Sequence, residues 1–347
     1  MLKQWTLVAS PQRRERERRR PLSGQYDEPV PLPVDVVIVA YNRYDLTESC
    51  LRHLGAQTIE HRVILIDNGS TDGTFERVAT DWPAVQLQRL PENHGFAEAC
   101  NRGVAAGSGE IVVLLNNDVD AREDFLARLV APLEANARLG SVAALMLQPG
   151  DRLIDSAGLT ADAVLGGFPR LQGLDVDQAQ RERPLLAGPA GTAAAYRRTA
   201  WEQVGGLDES IFAYMEDFDL ALRLRSAGWG SALAPEAIGV HLGSATHGHR
   251  SSRQRRNGGF GRGYMLRRYR LFHGASGPRA LATELVVVLA DLAISRDLQA
   301  LRGRLEGWRA ARHGARLPRP PADAVDATIG FRDSLRMRRG VYERRSA

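Results

Sequence analysis

The feature that most constrains this chain is a series of four short, largely apolar segments, each followed by a stretch of helical character. They are Val34–Ala40 (VDVVIVA), Arg62–Asp67 (RVILID), Val85–Arg89 and Glu110–Leu115 (EIVVLL). A strand that is apolar at nearly every position has no side to give to water, so it needs cover on both faces. Intervening helices supply that cover and join the strands in parallel. The expected fold class is therefore α/β, a Rossmann-like sheet with a parallel core flanked by helices. One helix is expected after Tyr41-Asn42-Arg43, opened by Asp45 with Glu48 at the spacing of a capping box. Two others are expected over Phe96–Ala106 and Glu123–Ala135, the latter with Asp120 at its N-cap. In such sheets the ligand crevice lies beyond the carboxyl ends of the strands. The polar clusters fall there: Tyr41-Asn42, Asp67-Asn68, Asn93-His94-Gly95 and Asn116-Asn117-Asp118.

The remainder is less regular. Residues 1–33 read as a disordered basic tail, because RRERERRR (13–20) is followed by Pro29, Pro31 and Pro33. Leu159–Pro184, rich in Gly, Asp and Arg, is expected to be a long loop, and Ala187–Arg198 a buried strand of small residues. Phe218–Ala227 is expected to be a helix ending at Gly228, and helices should dominate beyond residue 262. No apolar stretch approaches the roughly 20 residues that span a bilayer. The greasiest window, Leu285–Ala290, is bracketed by Glu284 and Asp291. With no apolar segment of signal-peptide type at the N-terminus and two cysteines, Cys50 and Cys100, that read as small buried hydrophobes, the expected location is the cytoplasm.

The segment LLNNDVD (114–120) carries the first chemical signal, since its apolar run ends on two amides and two carboxylates. Hard divalent cations such as Mg²⁺ take oxygen ligands, typically one or two carboxylates plus substrate phosphates. Asp118, just past the strand, is the natural first ligand, and Asn116 can add a carbonyl oxygen. A second acidic cluster, Glu216-Asp217, precedes an amphipathic helix on which Asp219 and Arg223 form an i,i+4 pair. Acids at a helix start complement its dipole. Two acidic clusters meeting in one crevice suggest one acid for metal and one for proton transfer.

Taken in order, VAYNR, LIDNGSTDGT, ENHGFAEACNRG, LLNNDV, GGLDESIFAYMEDFDLALRLRSAGW and then His241 resemble inverting family 2 glycosyltransferases of the GT-A fold. The likeness is greatest to the bacterial rhamnosyltransferase-like branch and covers about residues 34–272. It implies a GT-A catalytic domain over 34–245, with a donor half (34–120) and an acceptor half (121–245). A basic, mostly helical extension follows over 246–347. It further implies that Tyr41, Asn42, Asp67 and Asn68 hold the nucleoside, and that Asn93, Gly95 and Asn101 belong to the donor-contacting loop and helix. Asn116-Asn117-Asp118 takes the DxD-type position, with Asp118 binding Mg²⁺ or Mn²⁺ and His241 completing the metal site. Asn116 stands where many relatives have Asp, which removes one carboxylate. Asp217 is the implied catalytic base and Glu216 its support. The implied donor is a nucleotide sugar, with dTDP-rhamnose favoured, and the acceptor is a cell-envelope glycan or a polyprenyl-linked sugar.

Lys3 is the only lysine, so the other 45 of the 46 basic residues are arginine. From His241 to Thr283 nine arginines occur without one acid, a stretch suited to nucleic acid, anionic lipid or a pyrophosphate-bearing ligand. Ser244, Thr246, His247 and Arg250 are candidates for a lid over a diphosphate. Arg262–Phe272 (RGYMLRRYRLF) either rests on the inner membrane surface or packs through Tyr264, Met265, Leu266 and Tyr269. Rival readings are a non-catalytic sugar-nucleotide binder or an arginine-rich nucleic-acid binder, against which the Glu216-Asp217 pair argues, so no nucleic acid is expected. A nucleotidyltransferase would need a glycine-rich phosphate loop where this chain has AYNR.

Overall fold

A computed structural model describes residues 32–243 and 251–338. Strands β1 (Val34–Ala40), β2 (Arg62–Asp67), β3 (Gln86–Arg89) and β4 (Ile111–Asn116) alternate with helices α1 (Tyr44–Gly55), α2 (Thr74–Asp81) and α3 (Phe96–Ala105). These four strands pair in parallel in the order β3-β2-β1-β4. The side chains of each strand serve both faces in turn, as a period of two requires. Ile111, Val113 and Leu115 enter one apolar cluster, together with Val36 and Ile38. Val112 and Leu114 enter the other, together with Val37.

Beyond β4 the sheet becomes mixed. Strand β5 (Val119–Ala121) is followed by α4 (Phe125–Ala135), β6 (Leu139–Leu147) and a short β7 (Ile154–Ser156). Next come a small hairpin, β8 (Leu159–Ala161) with β9 (Gly167–Pro169), then β10 (Ala193–Arg197), α5 (Arg198–Val204), α6 (Glu216–Ser226) and β11 (Gly230–His241). The alanine-rich β10 lies antiparallel between β4 and β6, and β11 runs parallel to β6. The amino end of β10 therefore meets the carboxyl ends of β4, β6 and β11 along one edge of the sheet. Register makes that edge level: Ala40 lies opposite Asp67, and Val39 opposite Asn116.

Several local expectations are corrected. Asp45 and Glu48 form no capping box: α1 begins after a left-handed Arg43 (φ 58°) with no side-chain cap. Asp45 is instead held by the Arg43 guanidinium at 2.7–2.9 Å, and Glu48 pairs with Arg52. Asp120 is not an N-cap, because it lies within β5, where its carboxylate accepts from Ser49 Oγ at 2.8 Å. The 159–184 segment is not a plain loop, since it holds the β8–β9 hairpin and a 3₁₀ turn at Val176–Gln178. Helix α6 starts two residues earlier than expected, which places Glu216 and Asp217 inside its first turn.

Four helices complete the described chain: α7 (Ser252–Arg268), α8 (Gly277–Ser295), α9 (Gln299–Ala310) and α10 (Phe331–Met337). Met265, Leu266 and Tyr269 share an apolar cluster with Leu159, Phe218 and Leu222, so this layer packs on α6 and the hairpin. The Arg262–Phe272 stretch is thus spent mainly on packing. Tyr264, Met265, Leu266, Tyr269 and even Arg262 are buried. Cys50 and Cys100 are buried free thiols, as expected. Among the described residues no helix is long and apolar enough to cross a membrane.

Candidate active site

The polar ends of the strands enclose a crevice of about 470 Å³. It gathers Tyr41, Asn68, Asn93, Gly95, Asn116, Asn117, Asp118, Glu216, Asp217 and His241 from the residues singled out in the sequence. Three others do not line it. Asn42 ties two turns together, donating its N–H to Ser70 Oγ at 2.7 Å and accepting from Thr71 N through its side chain. Asn101 is occupied by the Leu207–Glu209 segment, with its amide donating to Leu207 O and Glu209 Oε1 and accepting from Leu207 N. Asp67 is fully buried beside Ser70 and Arg89, and burial raises its pKa.

The loops that carry these side chains are braced by amides. Asn68 donates to Asn93 Oδ1 and Gly95 O and accepts from His94 N, locking two strand ends together. Gly95 has φ +89°, and a Cβ there would stand 2.5 Å from Phe212 O. Only glycine lets the 212–215 loop come this close. That loop then runs into α6 through two non-glycine residues in the left-handed region, Tyr214 (φ 70°) and Met215 (φ 83°). Strained backbone of this kind persists where the surroundings hold it, and it fixes the direction in which α6 begins.

The two acids at that point differ. Asp217 is half-buried and anchored at both oxygens, Oδ2 accepting from Gly191 N at 2.8 Å and Oδ1 from Phe218 N at 2.7 Å. Burial raises its pKa, against which the two N–H groups work. Glu216 is buried, and its Oε2 has no hydrogen-bond partner among the described residues. Burial, helped by the neighbouring Asp217 charge, raises the Glu216 pKa to about 8. A carboxyl whose proton is held this high can exchange it near neutral pH.

Across the crevice, Asp118 is buried with no hydrogen bond to Oδ1, and His241 Nε2 faces that oxygen as an ion-pair partner at 3.5 Å. His241 ends β11, and its other nitrogen, Nδ1, sits 2.8 Å from Asp155 Oδ2 on β7. Burial depresses the imidazole pKa, but the flanking Asp118 and Asp155 carboxylates outweigh it and raise the value to about 10. Among the described residues no three Asp, Glu, His or Cys side chains converge as a ready-made metal cage. A buried carboxylate oxygen beside an oriented imidazole does fit a cation whose remaining ligands come from a substrate.

Sequence reading missed Asp155, and it missed Gly191-Thr192, which reach the edge only because β10 runs antiparallel to β4. It also missed Gln254 and Asn257, which α7 brings to the crevice. No local pattern marks any of these, since tertiary pairing alone puts them there. Ser244, Thr246, His247 and Arg250, read as a lid, lie outside the described residues.

Comparison with known proteins gives the family. The family described as glycosyl transferase family 2 matches residues 35–205, and glycosyl transferase family group 2 matches residues 174–300. The chain is 32% identical over 230 residues to the N-acetylglucosaminyl-diphospho-decaprenol L-rhamnosyltransferase of Mycobacterium tuberculosis (strain CDC 1551 / Oshkosh), covering 59% of this chain and 75% of that protein. It is 30% identical over 106 residues to glycosyltransferase AglE of Haloferax volcanii, covering 29% and 35% of the two chains. The crystal structure of GalNAc-T7 with UDP, GalNAc and Mn²⁺ superposes with a TM-score of 0.54 at 16% identity, over 70% of this chain and 51% of that one. That structural likeness speaks for the GT-A fold. With three quarters of a rhamnosyltransferase matched and the sheet edge built as described, the chain belongs to glycosyl transferase family 2, in its rhamnosyltransferase-like branch.

Proposed function

We propose that the protein transfers a sugar, with rhamnose favoured, from a nucleoside-diphosphate donor to a hydroxyl of a polyprenyl-linked or cell-envelope glycan acceptor, with inversion. The observation that carries this reading is one crevice holding the buried Asp118 oxygen and His241 at one side and the Glu216–Asp217 pair at the other. The substrate printed in the name of the mycobacterial relative, a polyprenyl-diphosphate N-acetylglucosamine, supports the acceptor class.

In this reading residues 34–120 form the donor half, 121–245 the acceptor half and 246–347 an extension. Tyr41, Asn68 and Asn93 border the nucleoside, while Asp67, buried on Ser70 and Arg89, and Asn42 and Asn101 brace the loops behind them. Asn116 and Asn117 face the sugar and diphosphate. Asp118 and His241 would hold Mg²⁺ or Mn²⁺, whose charge supports departure of the diphosphate. The Mn²⁺ in the GalNAc-T7 complex supports a divalent cation. Asp217 takes the proton from the acceptor hydroxyl as that oxygen attacks the anomeric carbon from the face opposite the leaving group. The two backbone N–H bonds aim its carboxylate, and its burial keeps its proton affinity high. A single displacement inverts the centre and needs one base only, unlike the two-carboxylate retaining scheme of glycosidases. A lipid-linked acceptor would bring a cytoplasmic enzyme to the inner membrane surface.

The test is a panel of nucleotide sugars with Mg²⁺, Mn²⁺ or EDTA, reading nucleoside-diphosphate release with and without a polyprenyl-diphosphate N-acetylglucosamine acceptor. Asp217→Asn should bind donor normally and lower turnover by about 10²–10⁴-fold. Failure to bind any nucleotide sugar would overturn the assignment.

A further inference from the structure

Of the nine arginines between His241 and Thr283, those in the described residues do not form one patch. Among them, Arg255 pairs with Asp297, Arg256 with Glu306 and Arg262 with Glu284, while Arg279 donates to Ile329 O. Only Arg267, Arg268 and Arg270 gather, at the end of α7, where Arg312, Arg316 and His273 join them around a second cavity of about 240 Å³. Trp308 forms one wall, with the Arg267 guanidinium 5.4 Å from its ring centre. Arg268 is paired with Asp208, but no acid lines the cavity. Arg270, held at φ +53° in the turn after α7, has no ion pair among the described residues, and neither has Arg316. Like charges gathered round a hollow without counter-charge favour an anion there.

Helix α8, which begins four residues after His273 of that cavity, carries exposed apolar side chains. Leu281, Leu285, Leu289 and Leu292 of α8 fall within a sector of about 80° at 100° per residue. They are outward-facing, with Leu281 61%, Leu285 59% and Leu289 56% exposed. Of the two acids between Leu281 and Leu292, Glu284 points inward and Asp291 is half-buried and falls outside that sector at 100° per residue. Leu298 and Leu305, seven residues apart at the start and in the middle of α9, are exposed as well, and the turn after α9 carries Arg312 to the basic cavity.

The geometry points to a membrane-docking surface: the α8 leucines enter the headgroup–acyl boundary of an anionic bilayer, and the Arg270–Arg316 cavity takes a lipid phosphate. Aliphatic side chains flanked by unpaired arginines match the two components of such an interface. This inference rests on a lipid-linked acceptor only for its purpose. Vesicles without acceptor or donor test it separately from transfer.

The experiment is sedimentation of the full chain with phosphatidylglycerol–phosphatidylcholine vesicles and with phosphatidylcholine alone, alongside calorimetry with pyrophosphate and size measurement without lipid. Binding should favour the anionic vesicles. Leu285→Glu with Leu289→Glu, both on the surface, should lower it on the order of tenfold or more. Arg270→Ala with Arg316→Ala should lower it by about 30-fold on anionic vesicles and leave neutral ones unchanged. Unaltered thermal unfolding shows that each variant is folded. Vesicle binding that survives both double variants overturns the surface. Pyrophosphate binding lost in the arginine variant, without vesicle binding, assigns the cavity to a free phosphate ligand and overturns the lipid. A dimer without lipid that the leucine variant dissociates gives the face to a second copy.

Discussion

In the sheet, alternate residues of β1 and β4 enter the two apolar clusters, and the polar groups wait at the strand ends. In the helical layer of residues 252–337 the order is reversed. Arg262 and Glu284 lie inside, four leucines of α8 lie outside, and helices α7 and α9 meet through glycines. A Cβ on Gly263 would stand 2.0 Å from Arg304 O, and one on Gly307 would stand 1.9 Å from Phe260 O. The sheet is thus held by apolar area, and the helical layer adds to its apolar contact with α6 one ionic hub and one backbone seam among its own helices. Area is spread over many residues and tolerates single losses, whereas a hub or a seam does not.

The hub breaks the comparison most sharply. Glu284 accepts from Arg262 Nε at 2.7 Å and Arg304 Nε at 3.1 Å, so it joins α7, α8 and α9. Burial opposes its charge, but Arg262, Arg304 and Arg338 together bring its pKa down to about 2. Removing one partner of a buried pair leaves the others uncompensated, so Glu284→Ala should cost about 3–5 kcal/mol in urea unfolding at pH 7. Because the folded pKa lies below the unfolded value of about 4.3, this contribution is complete above about pH 5. It fades as pH falls toward 2, and the wild-type advantage should fade with it. An unchanged difference at pH 3 would refute the ionic account.

Glu216 in the crevice has the opposite sign. Its folded pKa of about 8 lies above the unfolded value, so ionisation is penalised by folding. Stability should fall as pH rises from about 5 to 8, and the penalty should be complete above that range. Glu216→Gln removes the penalty. Its melting temperature should match wild type at pH 5 and exceed it at pH 9, by about 2–4 kcal/mol in free energy, while transfer activity declines. Equal pH profiles would show that Glu216 ionises freely.

The seam is tested by a matched pair of glycines. Gly307→Val pushes a side chain into backbone and should destabilise by about 3 kcal/mol. Gly258, on α7 with open space at its Cβ position, should accept Ala with a gain of about 0.5–1 kcal/mol. Similar effects at both positions would mean that α7 and α9 are not packed backbone to backbone.

These contrasts explain what the sequence disclosed. The four apolar runs declared their strands, and their ends declared Asn68, Asn93, Asn116 and Asp118, because one physical rule ties the end of a buried parallel strand to the crevice. Glu216, Asp217 and His241 were legible from their motif and from its order along the chain. The antiparallel placement of β10, and with it Gly191, was not, because a strand of alanines carries no mark of direction. Asp45 and Asp120 misled because a favourable capping spacing was overridden, in one case by Arg43 and in the other by pairing in β5. The inverted α8 was visible only as a greasy window, since periodicity shows a stripe but not which way it faces.

Asp155 is the instructive omission inside the crevice, a short-strand residue with no motif that touches the site only through His241. Its carboxylate lies 2.8 Å from His241 Nδ1, which leaves Nε2 turned toward Asp118. An imidazole offered to a cation by Nε2 needs its other nitrogen held in place, and the group that holds it sets both ring orientation and ligand basicity. Asp155→Asn keeps the size and one hydrogen bond but removes the charge. Mn²⁺ affinity, read from the free-ion electron paramagnetic resonance signal in the presence of nucleoside diphosphate, should weaken by about 10–100-fold. Asp120→Asn, which removes a carboxylate charge outside the crevice lining where Ser49 Oγ holds it, should leave it nearly unchanged. If Asp155→Asn binds Mn²⁺ as wild type does, then His241 is not a ligand. Asp118 would then hold the cation with substrate oxygens alone, and the helical layer and the crevice would share the property of resting on a single carboxylate.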